Sequence, residues 1–110
     1  MLLTTEEKFA LQMLFAGSDE VSVMVRLQLD NCEVLTRKNT GVGFFTSIAL
    51  EVPLDVNFPH QRDLSFEHRD LSHGGSFMCW FENASVLELE AVSYNGEWPQ
   101  RFDVLDFKWV

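Results

Sequence analysis

Five consecutive apolar residues, Phe77-Met78-Cys79-Trp80-Phe81, leave that segment without a polar face. A strand wet on one side alternates polar and apolar residues. An unbroken run instead marks a strand set in the middle of a sheet, with both faces covered. Phe77 and Cys79 then share one face, and Met78 and Trp80 share the other. With 110 residues the chain is one domain, 1–110, because domains of about 100–150 residues are the commonest. Such a chain is too short to build a complete layer on each side of a sheet. The expectation is therefore two N-terminal helices on one face. Either the Pro53–Gln61 loop or a second copy of the chain covers the other, and a homodimer is the preferred arrangement.

The flanking segments fit an α+β fold, with two short N-terminal helices packed on a mainly antiparallel β-sheet of about five to six strands. Thr4 and Glu7 form a capping box for a first helix carrying Phe9, Ala10, Met13 and Leu14 on one stripe, and Gly17 is its natural stop. From Asp19 to Asp30 two patterns compete. Val21, Val23, Val25, Leu27 and Leu29 alternate as in a strand, whereas Val21, Met24, Val25 and Gln28 form a helical stripe behind a Ser18 cap. Beyond Cys32 the pattern is β: Cys32–Lys38, Gly43–Val52, a weak Leu64–Asp70, Ser76–Phe81, Val86–Ser93 and Val104–Val110. Gly74-Gly75 reads as a bend, Asn95-Gly96 as a turn, and Pro99 excludes a continuing strand.

Acids outnumber bases 17 to 8, a formal charge of −9. The imbalance runs through the whole chain: 5 acids to 2 bases over 1–31, 6 to 4 over 32–73, and 6 to 2 over 74–110. No basic stripe exists for a phosphate backbone or an anionic membrane, so neither nucleic acid nor membrane is an expected partner. A basic protein partner is compatible with this charge, as is a purely solubilising role. The two cysteines, Cys32 and Cys79, lack the paired spacing of a zinc site, and two are too few for a disulfide framework. The start, Met1-Leu2-Leu3-Thr4-Thr5-Glu6-Glu7, is acidic where a signal peptide is basic, which points to a cytoplasmic protein with reduced, inert thiols.

Three stretches recur together in a recognisable order: Thr40-Gly41-Val42-Gly43-Phe44-Phe45-Thr46, then His73-Gly74-Gly75-Ser76-Phe77, then Leu89-Glu90 with Tyr94 and Trp98-Pro99. From about Thr4 to Phe107 the chain resembles a family of small, uncharacterised bacterial proteins. In these, two short helices precede a TGVGFFT-like turn, an HGAGF-like turn and an LEG…Y…WP ending. Ser76 and Ala91 stand where that pattern has glycines. The resemblance implies a helix for Asp19–Asp30 and carries no activity with it.

Candidate chemistry is sparse. Gly41-Val42-Gly43 lacks the third glycine of a dinucleotide loop and the Gly-Lys-Ser/Thr of a P-loop, and it leads into a strand, so a tight turn explains it. Glu88 and Glu90 share a strand face, with Cα atoms ~7 Å apart. That is near the spacing of a glycosidase pair and equally that of two solvated acids. His60, His68 and His73 are the imidazoles. His68 and His73 with Asp70 or Glu67 offer three potential metal ligands at no recognised spacing, and neither metal nor cofactor is expected. Ser72, Ser76 and Ser85 lie in no nucleophile motif. His73, Glu88, Glu90, Tyr94 and Trp98 remain as surface or pocket candidates. They suit an interaction protein that dimerises or binds a protein partner. Alternatively, Glu90, His73 and Tyr94 would line the pocket of a small-ligand binder or hydrolase-like enzyme.

Overall fold

The structure, a computed structural model, describes residues 1–54 and 61–110. His60 and most of the expected Pro53–Gln61 loop lie outside the described residues. Two helices, α1 (Thr5–Leu14) and α2 (Glu20–Gln28), pack on one face of an antiparallel sheet. Its six described strands are β1 (Glu33–Asn39), β2 (Gly43–Ala49), β3 (Gln61–His68), β4 (Leu71–Phe81), β5 (Val86–Ser93) and β6 (Phe107–Trp109), in the order β1-β2-β5-β4-β3-β6. The expected α+β architecture is the one observed, and the apolar run lies centrally in β4, between β5 and β3.

The capping box of α1 forms as expected: Glu7 N–H donates to Thr4 Oγ1 at 3.1 Å, and Thr4 N–H donates to Glu7 Oε1 at 2.8 Å. The 19–30 segment is a helix, with its cap at Asp19 rather than Ser18. The Asp19 carboxylate accepts from Ser22 N–H, Ser22 Oγ and Arg62 Nη2, three donors that the Ser18 hydroxyl could not match. These charge-assisted bonds, led by Arg62, hold the Asp19 carboxyl well below its ordinary range. Alternation yields to this cap, and Leu27 is left exposed. Buried Gln28 pairs both its amide groups with the backbone of Val52, at 3.0 and 2.8 Å, and so occupies the groups that β2 would need to continue. This explains why β2 ends at Ala49, three residues before the expected Val52.

The core lies between the helices and the inner sheet face, where Ile48, Leu87, Leu89, Phe77, Cys79 and Phe66 are buried against Ala10, Leu11, Phe15 and Val25. Gly74-Gly75 is not a bend but part of an eleven-residue β4. Gly74 takes φ +69°, and an added Cβ there would meet Phe66 O at 2.2 Å, so the strand keeps its path only with glycine opposite the irregular Phe66–His68 step of β3. The C-terminal strand is shorter than expected. Asp103 accepts from Leu105 N–H at 2.9 Å and caps a 3-10 turn over Val104–Asp106, which leaves Leu105 exposed and β6 only three residues long.

Gly43 begins β2 where its neighbour β5 passes very close: a Cβ would lie 1.7 Å from the carbonyl oxygen of Ala91. Gly43→Ala is therefore expected to force the β2–β5 pairing apart and to cost about 1–3 kcal/mol as a backbone clash. Urea denaturation checks this. An unchanged midpoint would contradict the close approach.

Candidate functional site

The sheet separates the two sides of every strand, and the candidate residues divide accordingly. On the outer face, away from the helices, β4 contributes Ser76, Met78 and Trp80, and β5 contributes Val86, Glu88, Glu90 and Val92. Beside them lie Phe45 and Ser47 on β2, Lys38 on β1, Asp63, Ser65 and Glu67 on β3, and Lys108 on β6. Among the described residues no helix or strand covers this face. Met78 and Trp80 are half-buried, and Phe45 is 37% exposed. The apolar run is thus roofed by helices only through Phe77, Cys79 and Phe81. Its other side is shielded by long polar neighbours: Gln61 Nε2 donates to Met78 Sδ at 3.7 Å, and Trp80 Nε1 donates to Glu82 Oε1 at 3.0 Å.

Glu88 and Glu90 lie at the centre of this face. Ser47 Oγ donates to Glu88 Oε1 at 2.9 Å. Glu90 is flanked by Phe45 on one strand and Met78 on the other, and its carboxylate has no hydrogen-bond partner among the described residues. Tyr94 is 56% exposed, and its hydroxyl shares a 3.0 Å hydrogen bond with Ser65 Oγ. His73 stands exposed near the start of β4, within 3.0 Å of Ser72 Oγ and 3.3 Å of Asn95 Nδ2. Glu90 and Tyr94, through Ser65, therefore belong to the outer face, whereas His73 stands apart beside Asn95. None of the three lines the cleft beside Trp98 or the smaller one between Arg69 and Arg101.

Trp98 lies elsewhere. Its backbone N–H donates to Gly41 O at 2.9 Å, and its ring packs edge-on against Phe44 at 5.8 Å. Its indole Nε1 donates to Glu6 Oε2 at 3.2 Å. These contacts bring the expected TGVGFFT and Trp98-Pro99 turns together with the start of α1 around a cleft of about 560 Å³. At its back Glu7, only 2% exposed, is held by Arg37 Nε at 2.9 Å, Arg37 Nη2 at 2.7 Å and Thr46 Oγ1 at 2.5 Å. Burial alone would push the Glu7 carboxyl up, but the bonds from Arg37, Thr46 and Thr4 outweigh it and hold the group below the usual carboxylate range. Glu6 behaves oppositely. Burial raises it, the Trp98 bond offsets only part of that, and the neighbouring Glu7 charge adds to the rise. The Glu7–Arg37 pair escapes sequence reading because its members are 30 positions apart. The only local signal was the Thr4–Glu7 box.

His68, the other half of the suggested metal pair, is buried with its ring edge-on to Phe107 at 4.7 Å, and its Nδ1 accepts from Asp70 N–H at 3.0 Å. Its coordinating lone pair on that nitrogen is thereby used for a turn. Among the described residues no three His, Cys, Asp or Glu side chains gather in a way that could hold a metal ion. Cys32 and Cys79 are both buried and form no disulfide, and burial raises both thiols, Cys79 far above its ordinary range, which disfavours the reactive thiolate. Among the described residues no helix is long and apolar enough to cross a membrane. In comparison with known proteins no family model matches the chain, and neither a curated protein nor a solved structure matches it.

Proposed function

We propose that the protein is a non-catalytic interaction protein whose outer sheet face docks a basic protein partner. The observation that carries this reading is the composition of that face. Phe45, Met78, Trp80 and Val92 form an apolar centre threaded by the Glu88–Glu90 row, on a sheet side that no described helix or strand covers. A solvated sheet face ordinarily carries small and polar side chains at its centre. Large apolar side chains rimmed by charge are the composition of a protein-binding patch. Counted by strand register, Glu33, Asp63, Glu67, Glu88 and Glu90 face outward against Lys38 and Lys108, which sit on the edge strands. A partner's lysine or arginine would place its charge on Glu88 or Glu90 and its aliphatic stem on Trp80 or Met78.

The same charge argues against a second copy laid face to face, since the two Glu88–Glu90 rows would approach one another with no cation at the centre of either face. It also argues against nucleic acid, which the carboxylates would repel.

The test uses a peptide of alternating lysine and leucine, with a glutamate–leucine peptide as its charge-reversed control. The lysine peptide is expected to bind with salt-weakened affinity and to lose at least about tenfold in the Glu88→Lys/Glu90→Lys variant. Both substituted positions are half-exposed, so the variant should melt like the wild type. Equal binding to variant and wild type would overturn the reading. So would sedimentation showing a dimer from which the peptide is excluded, because the face would then belong to a second copy.

A further inference from the structure

A second, independent surface is the cleft where the start of α1, the β1–β2 turn and the Trp98 loop meet. Its volume of about 560 Å³ falls within the range of roughly 300–1,000 Å³ typical of small-molecule sites. Phe44 and Trp98 set two rings at 88° along one side, and Glu6, Glu97, Arg37 and Asn39 supply the polar lining.

What the cleft can bind follows from which of these groups still have bonding capacity. Arg37 is the cation among them, and Glu7 already engages it through two parallel bonds at 2.9 and 2.7 Å, so its charge is neutralised at the back wall. Glu6 accepts from Trp98 Nε1 through Oε2 alone, which leaves Oε1 free. Glu97 is exposed and forms no ion pair among the described residues. Asn39 spends its carbonyl on Gly41 N–H at 2.8 Å and keeps its amide donors. The unspent charge is therefore negative, and it lies beside aromatic rings, in a chain of net charge −9. An anionic ligand would meet two carboxylates and an arginine that is already paired. A cation with a flat or aliphatic body would meet acceptors for its N–H groups and ring surface for the rest.

We infer that this cleft binds a small organic cation, an ammonium or guanidinium compound with an apolar body, held by Glu6 and Glu97 against Trp98. The inference does not depend on the outer face, which lies on the other side of the sheet.

Tryptamine, with neutral tryptophol and anionic indole-3-acetate as matched controls, provides the probe set for calorimetry. Tryptamine is expected to bind at least about tenfold more tightly than either control, and a Glu6→Gln/Glu97→Gln variant is expected to remove that preference. Glu97→Gln alone, on an exposed loop, keeps the test valid if Glu6→Gln disturbs α1: it should weaken tryptamine about threefold or more and leave tryptophol unchanged. Indole-3-acetate binding as well as tryptamine would overturn the inference, as would a tryptamine preference that survives the double variant or an absence of tryptamine binding at millimolar concentration. The Glu88→Lys/Glu90→Lys variant should bind tryptamine normally, so failure here and failure of the outer-face reading can be told apart.

Discussion

Phe77→Ala should be the most damaging core substitution in the chain, costing about 3–5 kcal/mol as a cavity at an unyielding site. Phe77 is fully buried at the middle of β4, and among the described residues four other rings converge on it: Phe66 at 4.8 Å, Phe107 at 5.8 Å, Trp98 at 6.1 Å and Phe9 at 6.3 Å. These belong to α1, two strands and the Trp98 loop, so no single element can relax into the space without breaking its other contacts. Trp80→Ala, three residues along on the outer face, should cost no more than about 1 kcal/mol, because its ring has no layer above it among the described residues. Urea denaturation of the two variants measures the contrast. Equal losses would mean that both sheet faces are packed alike and would contradict the one-sided core.

Glu7 gives the second large effect. Glu7→Ala leaves the Arg37 guanidinium, the buried Thr46 hydroxyl and the Thr4 N–H without their shared acceptor, at an expected cost of about 3 kcal/mol. Glu7 also sets the acid limb of stability. Its folded pKa lies below its ordinary value, so between the two the unfolded chain binds more protons than the folded one. Stability from Glu7 is complete at neutral pH and is lost as pH falls through the folded pKa. For Glu6 the sign reverses. Its folded pKa is raised, so its ionisation opposes folding as pH rises through that value. At pH 7, then, Glu7→Gln should destabilise the protein while Glu6→Gln leaves stability unchanged or raises it, although the residues are adjacent. Denaturant midpoints at pH 7 and pH 4 check both signs. Parallel behaviour of the two variants would contradict the assignment of Glu7 as the buried partner of Arg37.

How far these features could be read in advance depends on the range of the interactions that decide them. The Thr4–Glu7 box and the Val86–Ser93 strand are local features and hold as read, whereas the apolar run places β4 centrally but misses its start at Leu71 and the lack of a described layer over Met78 and Trp80. The 19–30 segment was undecided by pattern because its helix depends on Arg62 reaching Asp19 from 43 positions away. The end of β2 was misplaced for a similar reason, since Gln28 takes up Val52 from 24 positions away. Strand parity placed Glu88 with Glu90 and Met78 with Trp80 correctly. It could not say that Phe45 lies beside them, because β2 pairs with β5 across nearly the whole length of the hairpins between them. Glu90, His73 and Tyr94 are the pocket residues of the alternative sequence reading, and no sequence spacing tests whether they meet. The structure sets Glu90 and Tyr94 on the outer face and His73 beside Asn95, and the cleft instead draws on Glu6, Arg37 and Trp98, whose 92-position separation at the extremes no motif spans.

The chain's three tryptophans give the outer-face proposal its most direct test, because their indole N–H groups sit in three different places. Trp80 is on the outer face beside Glu82, Trp98 is at the cleft against Glu6, and Trp109 is on the edge strand β6. In a nitrogen-15 correlation spectrum of the full chain, titration with the alternating lysine–leucine peptide should shift the Trp80 indole signal and the amides of Phe45, Glu88 and Glu90, while the Trp98 signal stays in place. A peptide that moves Trp98 or Trp109 and leaves Trp80 untouched would show that the basic partner's surface is not the outer face of the sheet.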